Sequence, residues 1–501
     1  MPEKTLAEGS RTGAAAIERV EASPKRWWIL AVIAIAQLMV VLDATIVNIA
    51  LPSAQTDLGF SDGNRQWIVT AYALAFASLL LLGGRIADLF GRKPAFLVGV
   101  VGFAAASALG GAANGFTMLV VARALQGAFG ALLAPAALSL LNTTFTDARE
   151  RARAFSVYGA IAGAGGAVGL LLGGVLTDAL DWRWTLYVNV AIAVVAFAGG
   201  WILLGNHRDA ANAKLDVPGT VLVATGLFGL VYGFSNAETH DWDSPLTWGF
   251  LVAGGVLLAA FAWWQTRAAH PLLPMRILLD RDRAASFLAV LITGAGMFGV
   301  FLFLTYYLQL NLGFSPTKTG VAFLPMVGAL MVTAQAGTTM LLPRLGPKVV
   351  IPLGFAIATA GMAWLTGIGL GSSYLGAVLP QLIVIGVGLG LVMPPAMQLA
   401  TGGVAAEDAG VASATVNAMQ QVGGSIGTAL LNTLASSAAT AYLSGRDATS
   451  EVVRAQATIE SYTTAFGWSA ALFGAGTVIA LLSYRRGVPR QDAGAAPVVH
   501  M

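Results

Sequence analysis

The chain is a succession of long apolar segments separated by short polar loops. Fourteen such segments can be marked off in its 501 residues. Most have the roughly 18 or more apolar residues that a helix needs to cross a bilayer, whereas the short alternating strands of a membrane barrel are not evident. The pattern predicts an all-α membrane protein with 14 transmembrane helices. The predicted segments are Trp27–Ala50, Gln66–Leu82, Pro94–Ala113, Phe116–Leu141, Ala154–Leu176, Trp184–Leu204, Val217–Phe234, Pro245–Trp264, Ala284–Leu310, Thr319–Leu342, Val349–Leu370, Tyr374–Ala400, Gly410–Leu434 and Thr463–Tyr484.

Two polar breaks divide the segments into groups of six, two and six. The two middle segments carry no charge and few polar groups, so we expect them to be inserted helices outside the main functional path. The predicted domains are a cytoplasmic tail (1–26), an N-terminal six-helix bundle (27–204), a linker with two extra transmembrane helices (205–283), a C-terminal six-helix bundle (284–484) and a second cytoplasmic tail (485–501).

The distribution of lysine and arginine predicts the orientation. If the N-terminus is cytoplasmic, the inner loops and tails hold 22 basic residues and the outer loops hold five. Such an excess is typical of the cytoplasmic side of a membrane protein. We therefore expect a multi-pass protein of the cytoplasmic membrane with both termini in the cytoplasm.

Composition supports this class and excludes others. The chain is 56% hydrophobic and 11% charged, with a mean hydropathy of +0.74, which is too apolar for an ordinary soluble protein. It contains no cysteine, which excludes disulfides, thiolate metal sites and cysteine nucleophiles. The net charge of +3 is spread over short loops rather than gathered on one face, so we expect no nucleic-acid partner.

Asp43 and Arg123 are the only charged residues placed well inside any predicted segment. Charged groups at this depth normally face a protein interior or a wet cavity and carry function. Counted from the outer ends of their segments, both lie roughly 10–12 Å below the same membrane face, so the two could meet. Burial disfavours a charged carboxylate and a nearby arginine opposes that effect. We predict proton coupling at Asp43 and Arg123; the alternative is a static ion pair that holds two helices together.

The loop between the second and third segments combines glycines with charges. Gly84, Asp88, Gly91 and Arg92 lie here on the predicted cytoplasmic side. Glycines permit close helix approach, and an aspartate can accept from an arginine or cap a facing helix. We predict that these four residues form a cytoplasmic gate. The alternative is a loop whose basic residues only fix the orientation of the chain in the membrane. That would explain Arg92 but not the combination of Gly84, Asp88 and Gly91.

The fifth segment is rich in glycine at spacings that permit close helix packing. Sliding and static packing both require such a surface, and both interpretations remain open. The predicted residues of this antiporter helix are Gly159, Gly163, Gly169, Gly173 and Gly174.

Polar and aromatic residues elsewhere in the segments could line a substrate cavity. Each could equally serve in packing or in hydrogen bonds between helices. The predicted cavity residues are Asn48, Gln126, Phe298, Phe301, Tyr306, Gln309, Gln335, Asn417 and Gln421.

Several of these motifs resemble those of a known family. The pattern Gly84-x-x-x-Asp88-x-x-Gly91-Arg92-Lys93 resembles the signature loop of the major facilitator superfamily. The first-segment motif Leu42-Asp43-x-Thr45-x-Val47-Asn48-x-Ala50-Leu51-Pro52 is similar to that of the superfamily's fourteen-span drug:proton antiporters. The fourth-segment motif Arg123-x-x-Gln126-Gly127-x-x-Gly130-Ala131 and the glycines from Gly159 to Gly174 resemble further motifs of these antiporters.

The chain also departs from the family pattern. Leu170 stands where the antiporter motif usually has proline, and Ala191 replaces another usual proline. Relatives that export dications often have an additional acid in the tenth span, whereas 319–342 contains none. Divalent cationic drugs are therefore disfavoured as substrates.

The resemblance implies two six-helix bundles related by a pseudo-two-fold axis, each built from inverted repeats. It implies proton-coupled export of small amphipathic drugs, antibiotics or toxic metabolites, by a secondary transporter and not an enzyme. A proton-coupled importer of a small nutrient is an alternative on the same fold, and an integral membrane enzyme is a more distant one. We expect a monomer whose partners are a small-molecule substrate and the bilayer, with no catalytic residues, no metal and no cofactor beyond the coupling proton.

Overall fold

The computed structural model describes residues 25–61, 64–145, 147–205, 216–240, 242–269, 271–404, 409–447 and 449–487. Regular secondary structure within these ranges is helical, which confirms the all-α prediction. The long helices are α1 Arg26–Leu58, α2 Gln66–Phe90, α3 Arg92–Gly111, α4 Phe116–Thr144, α5 Ala148–Ala179, α6 Trp184–Leu203, α7 Val217–His240, α8 Pro245–Gln265, α9 Arg281–Tyr306, α10 Pro316–Ala336, α11 Pro347–Leu365, α12 Leu379–Thr401, α13 Ala409–Leu443 and α14 Glu451–Ser483.

Each long helix overlaps one predicted segment, although several ends differ: α1 runs on to Leu58 rather than Ala50, and α14 begins at Glu451 rather than Thr463. Twelve are long and apolar enough, over the residues described, to cross a membrane. The other two, α5 and α13, are rich in glycine, alanine and hydroxyl side chains, which lowers their hydropathy. That these two also cross the bilayer stays a prediction. Most of both predicted tails and residues 206–215 of the predicted linker lie outside the described residues.

Local sequence explains several helix ends. Ser315 caps α10 by accepting from the Lys318 amide, and Pro316 occupies the first helical turn, where its missing N–H costs nothing. Asp280 caps α9 in the same way through the Arg283 amide. Gly91 separates α2 from α3 with a φ of 101°, which L-residues with side chains rarely adopt.

Helices α1–α6 and α9–α14 form two bundles with matching internal contacts. In the first bundle α1 packs against α5 and α6, α4 against α2 and α3, and α3 against α6. In the second bundle the helices eight positions later repeat every one of these pairings: α9 with α13 and α14, α12 with α10 and α11, and α11 with α14. This repetition is what the predicted pseudo-two-fold relation requires.

The two bundles meet along two helix pairs, α2 with α13 and α5 with α10. The inserted helices α7 and α8 pack against each other, and α7 also contacts α2 and α13. The inserted pair therefore lies beside one of the two seams between the bundles.

A buried carboxylate holds the base of the inserted pair together. Asp216, directly before α7, accepts hydrogen bonds from the Gly219 amide at 2.9 Å and from Trp264 Nε1 and Gln265 Nε2 at 2.7 Å each. Burial by itself raises the pKa of Asp216, but these donors outweigh it, and the pKa lies below its ordinary value. The ionised carboxylate thus ties the start of α7 to the end of α8.

Candidate functional site

Asp43 of α1 and Arg123 of α4 form an ion pair inside the first bundle. Arg123 NH1 lies 2.6 Å from Asp43 Oδ2, and the side chains are 2% exposed for Arg123 and 0% for Asp43. Burying both charges carries a large desolvation cost, and removing one partner of such a pair costs about 3–5 kcal/mol because the other charge stays buried. The pair is therefore stable only with its surrounding hydrogen bonds.

Amide side chains complete the coordination of the carboxylate. Gln126 Nε2 and Asn189 Nδ2 each donate to Asp43 Oδ1 at 2.8 Å. Gln126 also donates to Ser107 Oγ at 2.8 Å and accepts from Arg123 NH1 at 2.9 Å. Arg123, Gln126 and Asn189 all donate to the Asp43 carboxylate, which is the arrangement that suits its ionised form.

The arginine is held by α2 on its other side. Arg123 Nε donates to the Ile68 carbonyl at 3.0 Å, and its guanidinium lies 4.5 Å from the centre of the Tyr72 ring. The pair thus connects α1, α2, α4 and, through Asn189, α6. A change in the charge of Asp43 would alter forces on four helices of one bundle.

On the predicted outer side, hydrogen bonds join the two bundles. Tyr306 donates its hydroxyl to Gln55 Oε1, and Gln309 Nε2 donates to the Ile49 carbonyl at 3.0 Å. The Thr317 amide donates to an Asp178 carboxylate oxygen at 2.8 Å. We call these bonds, together with Arg65 and its partners, the outer contact.

Arg65 is the buried basic residue of the outer contact. It is 6% exposed, and its guanidinium donates to Asn432 Oδ1 at 3.3–3.4 Å. The same guanidinium lies 4.4 Å from the ring centre of Tyr306 and 5.5 Å from that of Phe303. Sequence reasoning missed Arg65 because it precedes the second segment directly and reads as an ordinary loop charge.

The predicted cavity residues do not share one environment. Gln126 is fully buried against the ion pair, while Tyr306 and Gln309 belong to the outer contact. Asn48 is buried and donates to the Ala44 carbonyl of its own helix. These contacts give each of the four residues a structural partner.

The remaining cavity candidates divide by exposure. Phe301 is buried against Phe323, with ring centres 5.1 Å apart. Gln335 and Asn417 are exposed, and Gln421 is half-buried. The side chain of Phe298 lies outside the described residues. Of these remaining candidates, Gln335, Asn417 and Gln421 therefore keep accessible polar surface.

Gly84 and Asp88 of the predicted gate lie on the last turns of α2 rather than in a loop, because that helix runs on to Phe90. This end of α2 packs against α4 of the same bundle. A Cβ on Gly84 would lie 3.5 Å from Pro135 Cβ, and one on Gly83 would collide with the Ala131 carbonyl. Arg92 is half-buried at the start of α3, while the side chain of Asp88 lies outside the described residues. The gating role of Gly84, Asp88, Gly91 and Arg92 stays a prediction.

The glycines of α5 allow close approach to two partners. A Cβ on Gly169 would collide with Thr45 of α1, and one on Gly173 would lie 2.8 Å from the Ile46 carbonyl. A Cβ on Gly174 would lie 2.6 Å from the Pro316 carbonyl, at the seam between the bundles. The surroundings of Gly159 and Gly163 lie outside the described residues.

Comparison with known sequences identifies relatives across most of the chain. A family model described as the Major Facilitator Superfamily matches residues 33–428. The chain is 51% identical over 448 residues to the puromycin resistance protein of Streptomyces alboniger, which covers 89% of each chain. It is 39% identical over 405 residues to the cephamycin export protein of Amycolatopsis lactamdurans, with 80% of this chain and 83% of the relative covered.

Solved structures share the fold at low sequence identity. An auto-inhibited peptide transporter of the POT family superposes with a TM-score of 0.66 at 16% identity, covering 94% of this chain and 99% of that one. A bacterial homologue of the human lysosomal transporter Spinster gives a TM-score of 0.63 at 15% identity, covering 92% and 97%. The matching family model, the extended sequence identity and the repeated bundle together show that the chain belongs to the major facilitator superfamily of transporters.

Proposed function

We propose that the protein is a proton-coupled antiporter that exports small amphipathic antibiotics or related toxic compounds across the cytoplasmic membrane. The observation that carries the proposal is the buried Asp43–Arg123 pair, the one place in the described spans where a carboxylate and a guanidinium meet away from both membrane faces. Relatives named for puromycin resistance and cephamycin export support the substrate class.

Proton uptake by Asp43 would weaken the pair. A neutral carboxyl group loses most of its attraction for Arg123, while the arginine keeps its bonds to Gln126 and the Ile68 carbonyl. Because Asp43 lies on α1 and Arg123 on α4, a weaker pair lets these helices shift relative to each other. The coupling step is therefore a change in helix packing caused by one proton.

The outer contact supplies the second part of the cycle. With the bundles joined at Arg65, Tyr306 and Gln309, the structure represents a state closed on the predicted outer side. Release of substrate requires these bonds to break while the predicted cytoplasmic gate closes. Once the outer side is open, protonation of Asp43 from outside would favour the state that has released substrate. Loss of the proton to the cytoplasm, after the outer side has closed again, would reset the site.

The energetics are sufficient for useful export. One charge moving down a membrane potential of about 100 mV supplies roughly 2.3 kcal/mol. This sustains a gradient of about fifty-fold for a neutral substrate, because roughly 1.4 kcal/mol corresponds to one decade. For a monovalent cation exchanged against one proton, only the pH difference would drive transport.

We further infer that both termini lie in the cytoplasm and that the protein works as a monomer without cofactor, metal or nucleic acid. The excess of basic residues in the predicted inner loops supports this orientation. Among the residues described, histidine, cysteine, aspartate and glutamate form no group of three that could hold a metal ion.

The decisive experiment is a resistance panel in a pump-deficient bacterial host, with puromycin as its first compound. Asp43→Asn removes the titratable group while keeping its size, and we expect it to abolish protection at unchanged expression. Asp243→Asn, an exposed acid between α7 and α8, is the matched control and should protect like the wild type. Equal protection by both variants would refute the assignment of Asp43.

Vesicles test the direction and the driving force. Everted vesicles should accumulate the exported compound when their lumen is acid, and a protonophore should stop accumulation. Accumulation only in right-side-out vesicles would instead support the importer alternative. Transport that survives the protonophore unchanged would exclude proton coupling.

A further inference from the structure

The side-chain amide of Asn189, on α6, makes a hydrogen bond through its nitrogen but not through its oxygen in the described part of the chain. Its Nδ2 donates to Asp43 Oδ1 at 2.8 Å, whereas its own Oδ1 is buried and has no hydrogen-bond partner in the described part of the chain. The side chain is 0% exposed. A buried amide oxygen without a hydrogen-bond partner lowers the stability of the folded protein. This oxygen is therefore available to accept a hydrogen bond beside the ion pair.

We propose that Asn189 is a positioning residue that serves both protonation states of Asp43 by turning its amide. This proposal rests on the proton-coupling role proposed above for Asp43. In the ionised state the amide NH₂ faces the carboxylate and donates to it. In the protonated state a half-turn about the Cβ–Cγ bond brings Asn189 Oδ1 to the same place, where it accepts the new proton of the carboxylic acid.

The proton needs such an acceptor. A protonated carboxyl group becomes a donor, but the groups that contact its two oxygens, on Arg123, Gln126 and Asn189, are donors as well. Without a rearrangement, the new O–H would point at an N–H and leave its hydrogen bond unmade. The free Oδ1 of Asn189, attached to the same rotatable amide as the present donor, removes this conflict.

Gln126 cannot take this role at the same cost. Its Oε1 accepts from Arg123 at 2.9 Å, and its Nε2 donates to both Asp43 and Ser107. Turning the Gln126 amide would break its bonds to Arg123 and Ser107 together. Gln126 therefore keeps its orientation and its hydrogen bond with Arg123, whereas the Asn189 amide turns when Asp43 gains or loses its proton.

The two hydrogen bonds of Asn189 are unequal in strength. A bond to a charged carboxylate is roughly twice as strong as a bond between neutral groups. Asn189 therefore favours the ionised state on balance. Its removal should raise the pH midpoint of Asp43 protonation by roughly half to one pH unit.

Infrared titration of the purified protein in lipid nanodiscs tests this directly and needs no substrate. The C=O band of protonated Asp43 is identified by its loss in Asp43→Asn. In Asn189→Ala the midpoint of this band should rise, and the band should move to higher frequency because its hydrogen bond to the amide oxygen is gone. The turn itself is read from the amide C=O band of Asn189 in protein with 13C-labelled asparagine, assigned by its loss in Asn189→Ala. This band should move to lower frequency when Asp43 is protonated, because the amide oxygen then accepts a hydrogen bond, whereas an amide that only donates would leave it unchanged and overturn the proposal.

Asn236→Ala is the matched control, since Asn236 of α7 is 3% exposed and donates to Thr247 Oγ1 on α8 at 2.9 Å. It should change neither midpoint nor frequency. If Asn189→Ala does not fold, Asn189→Leu keeps a similar shape without a hydrogen-bonding group and should shift the midpoint in the same direction. A wild-type midpoint and frequency in the folded Asn189 variant would overturn the proposal.

The same experiment separates this proposal from the proposed function. If wild-type protein shows no titrating band that Asp43→Asn removes, Asp43 does not exchange protons and the proposed function fails. If that band titrates but is unaffected at Asn189, the proton site stands and only the role of the amide is wrong.

Discussion

Replacing Arg65 by alanine should open the outer contact. Arg65 is buried at the seam of the two bundles and interacts with Asn432, Tyr306 and Phe303, all in the second bundle. Alanine removes these interactions without adding bulk. The substitution therefore raises the free energy of the closed state. It should have little effect on an outward-open state, in which the bundles separate on this side and these contacts are already broken.

The size of the effect follows from the contacts. A desolvated cation over an aromatic ring contributes about 2 kcal/mol, and the long hydrogen bonds to Asn432 add roughly 0.5–1 kcal/mol. A loss of about 2–3 kcal/mol moves the equilibrium between the two states by roughly thirty- to a hundredfold, since about 1.4 kcal/mol is one decade. A minor open state would then become readily detectable.

The absence of cysteine makes the measurement simple, because no native thiol has to be removed. Spin labels at Ser61→Cys and Ser444→Cys, both exposed in predicted outer loops of opposite bundles, report the separation of the bundles by pulsed electron paramagnetic resonance. Arg65→Ala should add a longer-distance population to the distribution.

Arg267→Ala is the control. The Arg267 guanidinium also lies over an aromatic ring, 4.5 Å from the centre of Trp263, but this contact is local to the end of α8 and does not connect the two bundles. It should leave the distances unchanged. If Arg65→Ala and Arg267→Ala give the same distribution as the labelled parent, the outer contact does not control access and the reasoning is refuted.

Two further predictions concern packing and pH. A Cβ on Gly320 of α10 would collide with the Leu170 carbonyl of α5, whereas one on Gly328 has nothing within 4 Å. Gly320→Ala should therefore lower the melting temperature and the export rate, at a cost of about 1–3 kcal/mol, while Gly328→Ala should lower neither, since alanine suits a helix interior better than glycine. Equal melting of the two variants would contradict this. Asp216→Asn should destabilise the inserted pair by about 1–2 kcal/mol at neutral pH. Folding lowers the pKa of Asp216 from 3.8, so the stabilisation by its charge is present above pH 3.8 and is lost as the pH falls through the lower pKa of the folded protein. The melting temperatures of variant and wild type should therefore converge only in strong acid, and a difference that persists there would count against the role of the charge.

The helices and the Asp43–Arg123 pair could be predicted from the sequence because each depends on the properties of a single segment. A long apolar run forms a membrane helix whatever its neighbours are, so the segments could be marked off from hydropathy. Asp43 and Arg123 stood out because a charge inside such a run is costly wherever it lies. The resemblance to the major facilitator superfamily, carried by short motifs in the same segments, is confirmed by the family match.

The partners of that pair could not be predicted in the same way. Asn189 is 146 positions from Asp43 in the chain, and Gln126 was placed in the substrate cavity because a polar residue in a helix gives no sign of which way it faces. Arg65 seemed a loop charge, although the second bundle buries it. Such assignments depend on how each helix is rotated and which helix lies beside it.

The sequence by itself determined the membrane helices, their grouping into six, two and six, and the two charges that the bilayer makes conspicuous, since each of these follows from the free energy of placing a local segment in hydrocarbon. Only the tertiary structure decided that Asn189 contacts Asp43 with one end of its amide, and that Arg65 closes the seam between the bundles. Those arrangements come from the packing of helices far apart in the chain, where a rotation of one helix by a single residue would give each side chain a different partner.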